Sequence, residues 1–378
     1  MEYIRLGDLY SITKGKKVEA LEDNNSNVIR YIQIDDLRNN DNIKYCSNNN
    51  KYVIANENDL IIAWDGANAG TIGYGLNGAI GSTLAKLSTN SKKIYTPFIG
   101  RYMQYQSKSL RDRCTGATIP HIQRSVLEEI LIPKYYIDIQ KRISMVLDKA
   151  QELIDKRKEQ IEACDELIKS LFYHMFGDPV KNEKGWELIK LSELADIKIG
   201  PFGTLLHKED YITGGHALVN PSHINDGKIC CDSNLTISDE KYSQLDAYHL
   251  KKGDVVLGRR GEMGRCAVVE NDGLICGTGS LLIRNKCEIS SEILQKIISF
   301  PSYKKVIEDK AVGQTMLNLN VPIVSEFMIP KISIDAQKKY YEYVKQINKS
   351  KIKMQQSLTE LENNFNSLMQ RAFKGELF

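Results

Sequence analysis

The sequence has few of the features that mark secreted, membrane-spanning or metal-binding proteins. Its 378 residues include 8 cysteines, none of them in a Cys-x-x-Cys pair, and the adjacent Cys230 and Cys231 suit neither a zinc knuckle nor a disulfide framework. No apolar run approaches the roughly 20 residues that a membrane helix needs, and the start, MEYIRLGDLY, lacks the pattern of a signal peptide. These absences predict a cytoplasmic protein with no membrane partner.

Motifs for catalysis and for cofactor binding are also missing. There is no GxxxxGK[ST] loop for ATP. GRRGEMGR (258–265) has glycine spacing near that of a dinucleotide loop but lacks the helix and acidic residue that should follow, and NPSH (220–223) falls short of an adenine methyltransferase motif. The spacing of His216, His223 and the Cys230–Cys231 pair matches no common zinc pattern. We therefore predict no catalytic residue, no metal and no cofactor on this chain.

Charge gives little direct information about a partner. The net charge of +3 is too small to indicate nucleic acid by itself, and no segment forms a basic arm. Any contact with DNA must therefore come from local patterns of residues.

An internal repeat determines the predicted architecture. Five segments recur in the same order in the two halves, which indicates a duplication of about 190 residues. The matched pairs are IRLGDLYSITKG (4–15) with IKLSELADIKIG (189–200), NDLIIAWDG (58–66) with GDVVLGRRG (253–261), GAIGST (78–83) with GLICGT (273–278), TGATIPHIQRSVLEEILIP (115–133) with VGQTMLNLNVPIVSEFMIP (312–330), and IDIQKRI (137–143) with IDAQKKY (334–340).

The first part of each half is predicted to be a mostly β or α+β globule. Short β-branched and apolar runs, such as VIRYIQI, are separated by turn residues every 8–12 positions or so. A helical interval is expected within each globule, at PFIGRYMQYQSKSLRDRC and at EILQKIISFPSYKKVIEDK. The predicted boundaries are 1–133 and 178–330 for the globules, and 134–177 and 331–378 for helical segments.

Each helical segment is predicted to be one long helix. Seam residues recur at alternating spacings of four and three over 143–175, and at a constant offset over 340–372. A 3.5-residue period held for about five heptads is typical of a coiled-coil seam. Antiparallel pairing is favoured, because a parallel pair would require the second globule to span the helix length. Arg157 and Lys351 interrupt the seam, where they either fix its register or extend to solvent.

The predicted fold class is therefore α+β. It comprises two duplicated globules separated by two long antiparallel coiled-coil helices, with pseudo-twofold symmetry.

The order and wording of the segments resemble the specificity subunit of type I restriction–modification enzymes. The stretches that carry the resemblance are TGATIPHIQRSVLEEILIP, IDIQKRISMVLDKAQELIDKRKEQI, ELIKSLFYHMFGDP and SLMQRAFKGELF. The resemblance covers essentially the whole chain. The second repeat departs from the usual wording, with AQKKYYEYV and LNL in place of the text found in the first.

The resemblance implies a function and a set of partners. Each globule would be a target-recognition domain for one half of a split double-stranded DNA sequence. The helices would dock two methyltransferase subunits, and motor–nuclease subunits would join through those. S-adenosylmethionine, ATP and Mg are expected on these partners and not on this chain.

Candidate DNA-binding residues lie in loops next to the repeated motifs, because such loops project from a rigid scaffold. Lysines suit phosphate, arginine suits guanine, and asparagine or glutamine suits adenine. For each motif the alternative is a purely architectural or solvated turn. The candidates are Lys14, Lys16, Lys17, Trp64, Asn68, Thr118, His121, Arg259, Arg260, Arg265, Gln314, Asn318 and Asn320.

Two other classes of function stay open at this point. One is a coiled-coil scaffold with two protein-binding heads, which would show no salt-dependent affinity for DNA. The other is a methyltransferase that acts alone, which would bind its cofactor by itself.

Overall fold

The computed structural model describes residues 2–21, 28–116, 120–286, 288–313 and 317–378. The chain divides into two compact units. The first comprises Met1–Ile161 and Lys353–Phe378, and the second comprises Glu162–Ile352. No helix in the described ranges has the length and apolar character needed to cross a bilayer.

The first unit combines a β-rich globule, which contains the helix α2, with parts of two long helices. In chain order its helices and strands are β1 (Tyr3–Arg5), α1 (Leu6–Leu9), β2 (Ser11–Lys14), β3 (Val28–Ile32), β4 (Lys44–Ser47), β5 (Ile54–Ala55), β6 (Leu60–Ala63), β7 (Ile72–Tyr74), β8 (Gly78–Ile80), β9 (Leu84–Ser88), α2 (Thr96–Asp112), α3 (Arg124–Glu128), β10 (Leu131–Pro133), the start of α4 (Ile137–Phe176) and, from the end of the chain, the last part of α10 (Ile334–Lys374).

Two four-stranded sheets and a small β1–β10 pair form the first globule. One sheet has the order β2-β9-β6-β7 and the other has β4-β3-β8-β5. Strand β6 reads LIIA and is buried at every position, which fits a strand covered on both faces. One of its faces joins a core with Phe98 and Met103 of α2, and the other joins a second core around Ile32.

The second unit repeats this plan with a larger second sheet. Its elements are the end of α4, β11 (Leu188–Lys190), α5 (Leu191–Leu194), β12 (Ala195–Ile199), β13 (Tyr211–Ile212), β14 (His216–Val219), β15 (Ile224–Asn225), β16 (Lys228–Ile229), β17 (Thr236–Ile237), α6 (Asp239–Gln244), β18 (His249–Leu250), β19 (Val255–Gly258), β20 (Cys266–Val268), β21 (Leu274–Cys276), β22 (Ser280–Asn285), α7 (Ser291–Ile298), α8 (Pro301–Lys310), α9 (Val321–Ser325), β23 (Met328–Pro330) and the start of α10 (Ile334–Lys374).

The strand orders confirm the duplication. The sheet β12-β22-β19-β20 corresponds to β2-β9-β6-β7, and the pair β11–β23 corresponds to β1–β10. The other sheet has five strands in the order β13-β17-β14-β21-β18. Its parallel β14–β21 pair matches the parallel β3–β8 pair of the first unit.

The helical interval of the second globule differs from the single helix of the first. It forms two helices, α7 and α8, which meet at Phe300 and Pro301. Proline at the first helical position removes the amide that would continue α7, so the chain turns there and begins a new helix.

The two long helices confirm the predicted seam. Ile143, Leu147 and Ile154 are buried, and the exposed positions of α4 fall outside the 3.5-residue series. In the first unit, α4 packs near its start against Met369 and Phe373 at the end of α10.

The second unit shows the same antiparallel direction. Phe176 near the end of α4 lies 5.2 Å, between ring centroids, from Tyr340 near the start of α10. Lys351 of α10 interrupts the seam and pairs with Asp165 of α4 at 2.6 Å. The polar seam position is therefore satisfied across the helix pair, whereas Arg157 bonds Gln160 on its own helix.

Candidate nucleic-acid interface

The repeated sequence motifs fold into one loop pair in each unit. The first loop pair consists of residues 63–70 and the described part of 115–122; the second consists of 258–265 and the described part of 312–319. In the first, Gly66 N donates to Pro120 O at 2.9 Å and Ile122 N donates to Trp64 O at 3.0 Å. These bonds hold the described end of the segment that follows Gly116, called here the Gly-x-Thr loop after its sequence, against the loop that follows a buried central strand, β6.

The second loop pair has the same backbone pattern. Leu319 N donates to Arg259 O at 2.9 Å, which matches the bond from Ile122 to Trp64. Isolated β-bridges join Asp65 to His121 in the first pair and Arg260 to Asn318 in the second. The expected equivalence of Trp64–Asp65 with Arg259–Arg260 is thereby confirmed.

The glycine that precedes the part of each loop outside the described residues has a left-handed backbone. Gly116 has φ 108° and Gly313 has φ 132°, values that side chains with a Cβ rarely adopt. Thr115 and His121 exchange backbone hydrogen bonds across the first turn, as Val312 and Asn318 do across the second. Thr118 and Gln314, two of the predicted DNA-binding residues, lie outside the described residues.

The charged residue of the first loop pair, Asp65, is paired with a lysine of strand β2. Lys14 Nζ lies 2.7 Å from Asp65 Oδ2, so this predicted phosphate contact is partnered by the loop itself. His121 is exposed, and its Nε2 lies 3.0 Å from Thr115 Oγ1. Lys16 is exposed and makes no ion pair or hydrogen bond with any residue that the structure describes.

Of the other predicted DNA-binding residues in the first unit, two contact neighbouring residues and one extends into solvent. Trp64 is half-buried against the core. Asn68 Oδ1 accepts a hydrogen bond from Arg38 Nη2 at 2.7 Å. Arg38 borders an open polar groove of about 610 Å³ that Arg101 and Arg111 also line. Lys17 is exposed, and within the described ranges its side chain has no ion pair or hydrogen bond.

Arg259 and Arg260 occupy opposite environments. Arg259 is 9% exposed, and its Nε donates to Asn318 Oδ1 at 3.0 Å and to Leu319 O at 3.2 Å. Burial, with a smaller contribution from the charge of Arg260, lowers the pKa of Arg259. Arg260 is exposed and has no ion pair or side-chain hydrogen bond among the described residues.

The remaining predicted residues of the second unit have local roles in the structure. Arg265 Nη2 pairs with Glu262 at 2.7 Å, and these hydrogen-bonded charges lower the pKa of Glu262. Asn318 bonds Arg259, as described above. Asn320 caps α9, because its Oδ1 accepts from Ile323 N at 3.0 Å. Glu262 therefore neutralises Arg265 and leaves Arg260 free.

The two histidines near 216–231 are engaged in local contacts, whereas Cys230 and Cys231 are exposed free thiols. His216 Nδ1 lies 2.9 Å from Gly273 O, and its ring stacks on Tyr242. His223 is buried, with Nδ1 2.8 Å from Leu218 O. Over the described ranges, no group of three His, Cys, Asp or Glu side chains is arranged to hold a metal ion.

Sequence reasoning missed that the two loops of each half meet. It placed them as separate features, and it did not include Asp65 or its partner relation to Lys14 among the site residues. One signal was available: the two motifs lie at nearly equal separation along both halves of the chain. Equal separation in a duplicated fold is what a conserved contact between two loops would produce.

The protein is therefore internally duplicated, and each β-rich unit carries a loop pair with exposed side chains that could bind a ligand. The family model described as "Type I restriction modification DNA specificity domain" matches residues 1–163 and, a second time, residues 183–363. The chain therefore belongs to the family of type I restriction–modification specificity subunits.

Individual relatives agree with this assignment. The chain is 25% identical, over 92% of its length and 86% of the relative's, to the type I restriction enzyme MjaVIII specificity subunit of Methanocaldococcus jannaschii. It is 23% identical, over 99% of its length and 85% of the relative's, to the EcoBI specificity subunit of Escherichia coli.

A solved structure shows the same fold. A chain solved in work on complex assembly and conformational transition of the type I R-M system matches with a TM-score of 0.66 and 15% identity. The match covers 100% of this chain and 98% of that chain.

Proposed function

We propose that this chain is the sequence-specific DNA-binding subunit of a type I restriction–modification complex, and that it is not itself catalytic. Each unit reads one half of a bipartite target in double-stranded DNA. The long helices dock two methyltransferase subunits, through which motor–nuclease subunits join. The partners carry S-adenosylmethionine, ATP and Mg. The chain works in the cytoplasm, together with its double-stranded DNA target.

The observation that carries this proposal is the loop pair built twice with different side chains. One scaffold that is repeated with the same backbone hydrogen bonds and altered surface residues suits recognition of two different half-sites. Exposed cations, Arg260 in the second loop pair and Lys16 and Lys17 just after strand β2, supply charge that attracts phosphate.

Docking on the helices is supported by apolar side chains outside the seam. On α4, Met145 is 67% exposed and Leu153 is 48% exposed. On α10, Tyr343 and Ile352 are 41% and 55% exposed. Apolar residues that a helix leaves uncovered after pairing favour contact with another protein.

The proposed domain boundaries separate the globules, which read DNA, from the helices, which dock the methyltransferase subunits. Residues 1–133 and 178–330 are the target-recognition domains, and residues 134–177 and 331–378 are the helical spacers. A pair of short antiparallel strands closes each recognition domain, β1 with β10 and β11 with β23.

The test is methylation mapping of genomes that carry the methyltransferase gene, with and without the gene for this chain. We expect methylation of one bipartite sequence only when both are present. The purified chain alone should bind DNA with strong dependence on salt concentration and should bind neither ATP nor S-adenosylmethionine. Methylation by the chain alone would instead indicate a methyltransferase that acts alone. Binding of methyltransferase subunits without any affinity for DNA would indicate a protein-binding scaffold.

A further inference from the structure

The two units differ in charge at two matched positions, one at the end of a strand outside the loop pair and one within the loop pair. The first position is the end of an equivalent strand: β2 ends at Lys14 and β12 ends at Ile199. Each strand is followed by a glycine, Gly15 or Gly200, at which an added Cβ would lie 2.2 or 2.0 Å from a carbonyl oxygen of the facing segment. This close approach, made in both units, fixes the correspondence of Lys14 with Ile199.

The second position is Asp65 in the first unit and Arg260 in the second. Both follow a buried strand, and both form a β-bridge to the residue that closes the Gly-x-Thr loop, His121 or Asn318. The same backbone site therefore carries an acid in one unit and a base in the other.

The side chains at the second position offer opposite hydrogen-bonding polarity. The Asp65 carboxylate can only accept hydrogen bonds, and its side chain is 29% exposed. The Arg260 guanidinium can only donate, and it is exposed without a partner among the described residues. A base pair placed against each site would meet an acceptor in the first unit and a donor in the second.

Lys14 explains how an acid can face DNA. Its ammonium group, 52% exposed, lies 2.7 Å from Asp65, so the pair is nearly neutral in the free protein. Exposed ion pairs are held weakly, and the Lys14 side chain can exchange the carboxylate for a DNA phosphate. That exchange would leave Asp65 free to accept from a base. Ile199 at the matched position in the second unit offers no such partner, and Arg260 needs none.

We infer that Asp65 is a specificity-determining residue of the first half-site, where it accepts a hydrogen bond from the exocyclic amino group of cytosine or adenine in the major groove. Acidic side chains accept from such amino groups, whereas arginine donates to O6 and N7 of guanine, the contact expected of Arg260 in the second half-site. This inference rests on the proposed function.

The experiment uses the full chain assembled with its methyltransferase subunits on a plasmid library with randomised bases, with methylated sites identified by sequencing. We expect Asp65→Ala to reduce discrimination by roughly tenfold at one position of the first half-site. The second half-site should stay unchanged, which also shows that the variant is folded. Asp65→Asn, which keeps an acceptor oxygen, should retain part of the discrimination.

Two matched variants serve as controls. Arg260→Ala should relax one position of the second half-site and none of the first. Lys14→Ala should weaken binding to all sequences alike and reduce the slope of log affinity against log salt by about one, as loss of one phosphate contact would.

Base analogues test the inference on the wild-type complex, without reliance on any variant. Duplexes of the mapped sequence would carry purine in place of adenine, or pyrimidin-2-one in place of cytosine, at each base of the first half-site in turn. One substitution should weaken wild-type binding by roughly tenfold and leave Asp65→Ala binding unchanged.

The outcomes separate the two levels of the argument. If the wild-type complex methylates no bipartite sequence, the proposed function fails. If it does, but Asp65→Ala keeps full discrimination or no amino-group deletion weakens binding, the function stands and the role of Asp65 is wrong.

Discussion

Adjacent arginines in the second loop pair have different tasks. Arg259 points into the protein and bonds Asn318 and Leu319, whereas Arg260 stays in solvent. The sequence alone does not distinguish these two adjacent arginines. In the structure they differ because the bridge between Arg260 and Asn318 sets the backbone direction, and neighbouring side chains then point to opposite sides. The buried arginine holds the two loops together, and the exposed one is available to a ligand.

Alanine at these two positions should therefore give opposite results. Arg259→Ala leaves two acceptors, Asn318 Oδ1 and Leu319 O, without a charged donor, so we expect the free energy of unfolding to fall by about 2 kcal/mol. Arg260→Ala should change it by less than about 0.5 kcal/mol and weaken DNA binding. Urea unfolding and duplex binding over a salt series measure both. A stable Arg259→Ala protein with reduced DNA affinity would reverse the assignment.

The cysteines provide a second test at the residue scale. Burial raises the pKa of Cys266 to about 12 and that of Cys276 to about 12, so neither thiol ionises near neutral pH. Cys230 is exposed. Since the thiolate is the reacting form, a disulfide reagent at about pH 8 should label Cys230 first and should reach Cys266 and Cys276 only after unfolding.

The same shift has a consequence for stability. Unfolded thiols ionise above about pH 8.5, while the folded Cys266 and Cys276 stay protonated, so the free energy of unfolding should fall as pH rises through that region.

For the labelling prediction, mass spectrometry of the labelled peptides identifies which cysteines have reacted, and a urea-treated sample is the control. Rapid labelling of Cys266 in the native protein would show that the β20 region opens readily.

Strand starts are held by a repeated aspartate at the scale of elements. Asp59 Oδ2 accepts from Asn56 N at 3.0 Å, and Asp254 Oδ2 accepts from Lys251 N at 2.7 Å. This turn, four residues long in both units, explains why an acid precedes each buried central strand. The second copy adds a bidentate pair, with Arg284 at 2.9 and 2.7 Å from the two oxygens of Asp254.

The two aspartates should therefore differ in their contribution to stability. Asp254→Ala removes the backbone bond and both bonds from Arg284, whose side chain is 37% exposed and can then be hydrated, and we expect a loss of about 2–3 kcal/mol. Asp59→Ala removes one backbone bond and a looser contact with Lys86, 3.6 Å away, and should cost about 1–2 kcal/mol. Urea unfolding of both variants compares them directly. Equal losses would mean that the Arg284 pair adds nothing to the turn.

Sequence pattern predicted the helices far better than the loop contacts. The 3.5-residue series is a local property, so it placed α4 and α10 closely and identified their buried faces. The bridge of Asp65 to His121, or of Arg260 to Asn318, depends on how strands order themselves within a sheet. Residues far apart in sequence carry no periodic signal for such a contact, and the partner of Lys14 was missed for the same reason.

At the scale of the molecule, the duplication was visible in the sequence because each half keeps the same segments at its start and its end. Both copies begin and end on paired strands: β1 lies beside β10, and β11 lies beside β23. Lys134 N donates to Glu2 O at 2.9 Å, and Lys331 N donates to Glu187 O at 2.7 Å. The chain thus enters and leaves each recognition domain at adjacent points.

Adjacent entry and exit points should make the domains exchangeable. We expect a chimera in which residues 1–133 come from another family member to methylate a sequence changed in one half only. The donor must keep the packing against α10, where Tyr102 and Phe98 surround Phe373 with ring centroids 5.0 and 5.7 Å away. Methylation mapping of the chimera, its two parents and the reciprocal exchange of 178–330 provides the measurement.

A matched control places the junction inside the domain. Exchange of residues 1–123 separates β1 from its native partner β10 and places a foreign loop pair on the native α3, so we expect an unstable or insoluble protein. Exchange at 133 keeps β1 and β10 together and should fold. If the exchange at 133 altered both halves of the methylated sequence, or neither, then one unit could not be reading one half-site, since each loop pair is built wholly from residues of its own unit.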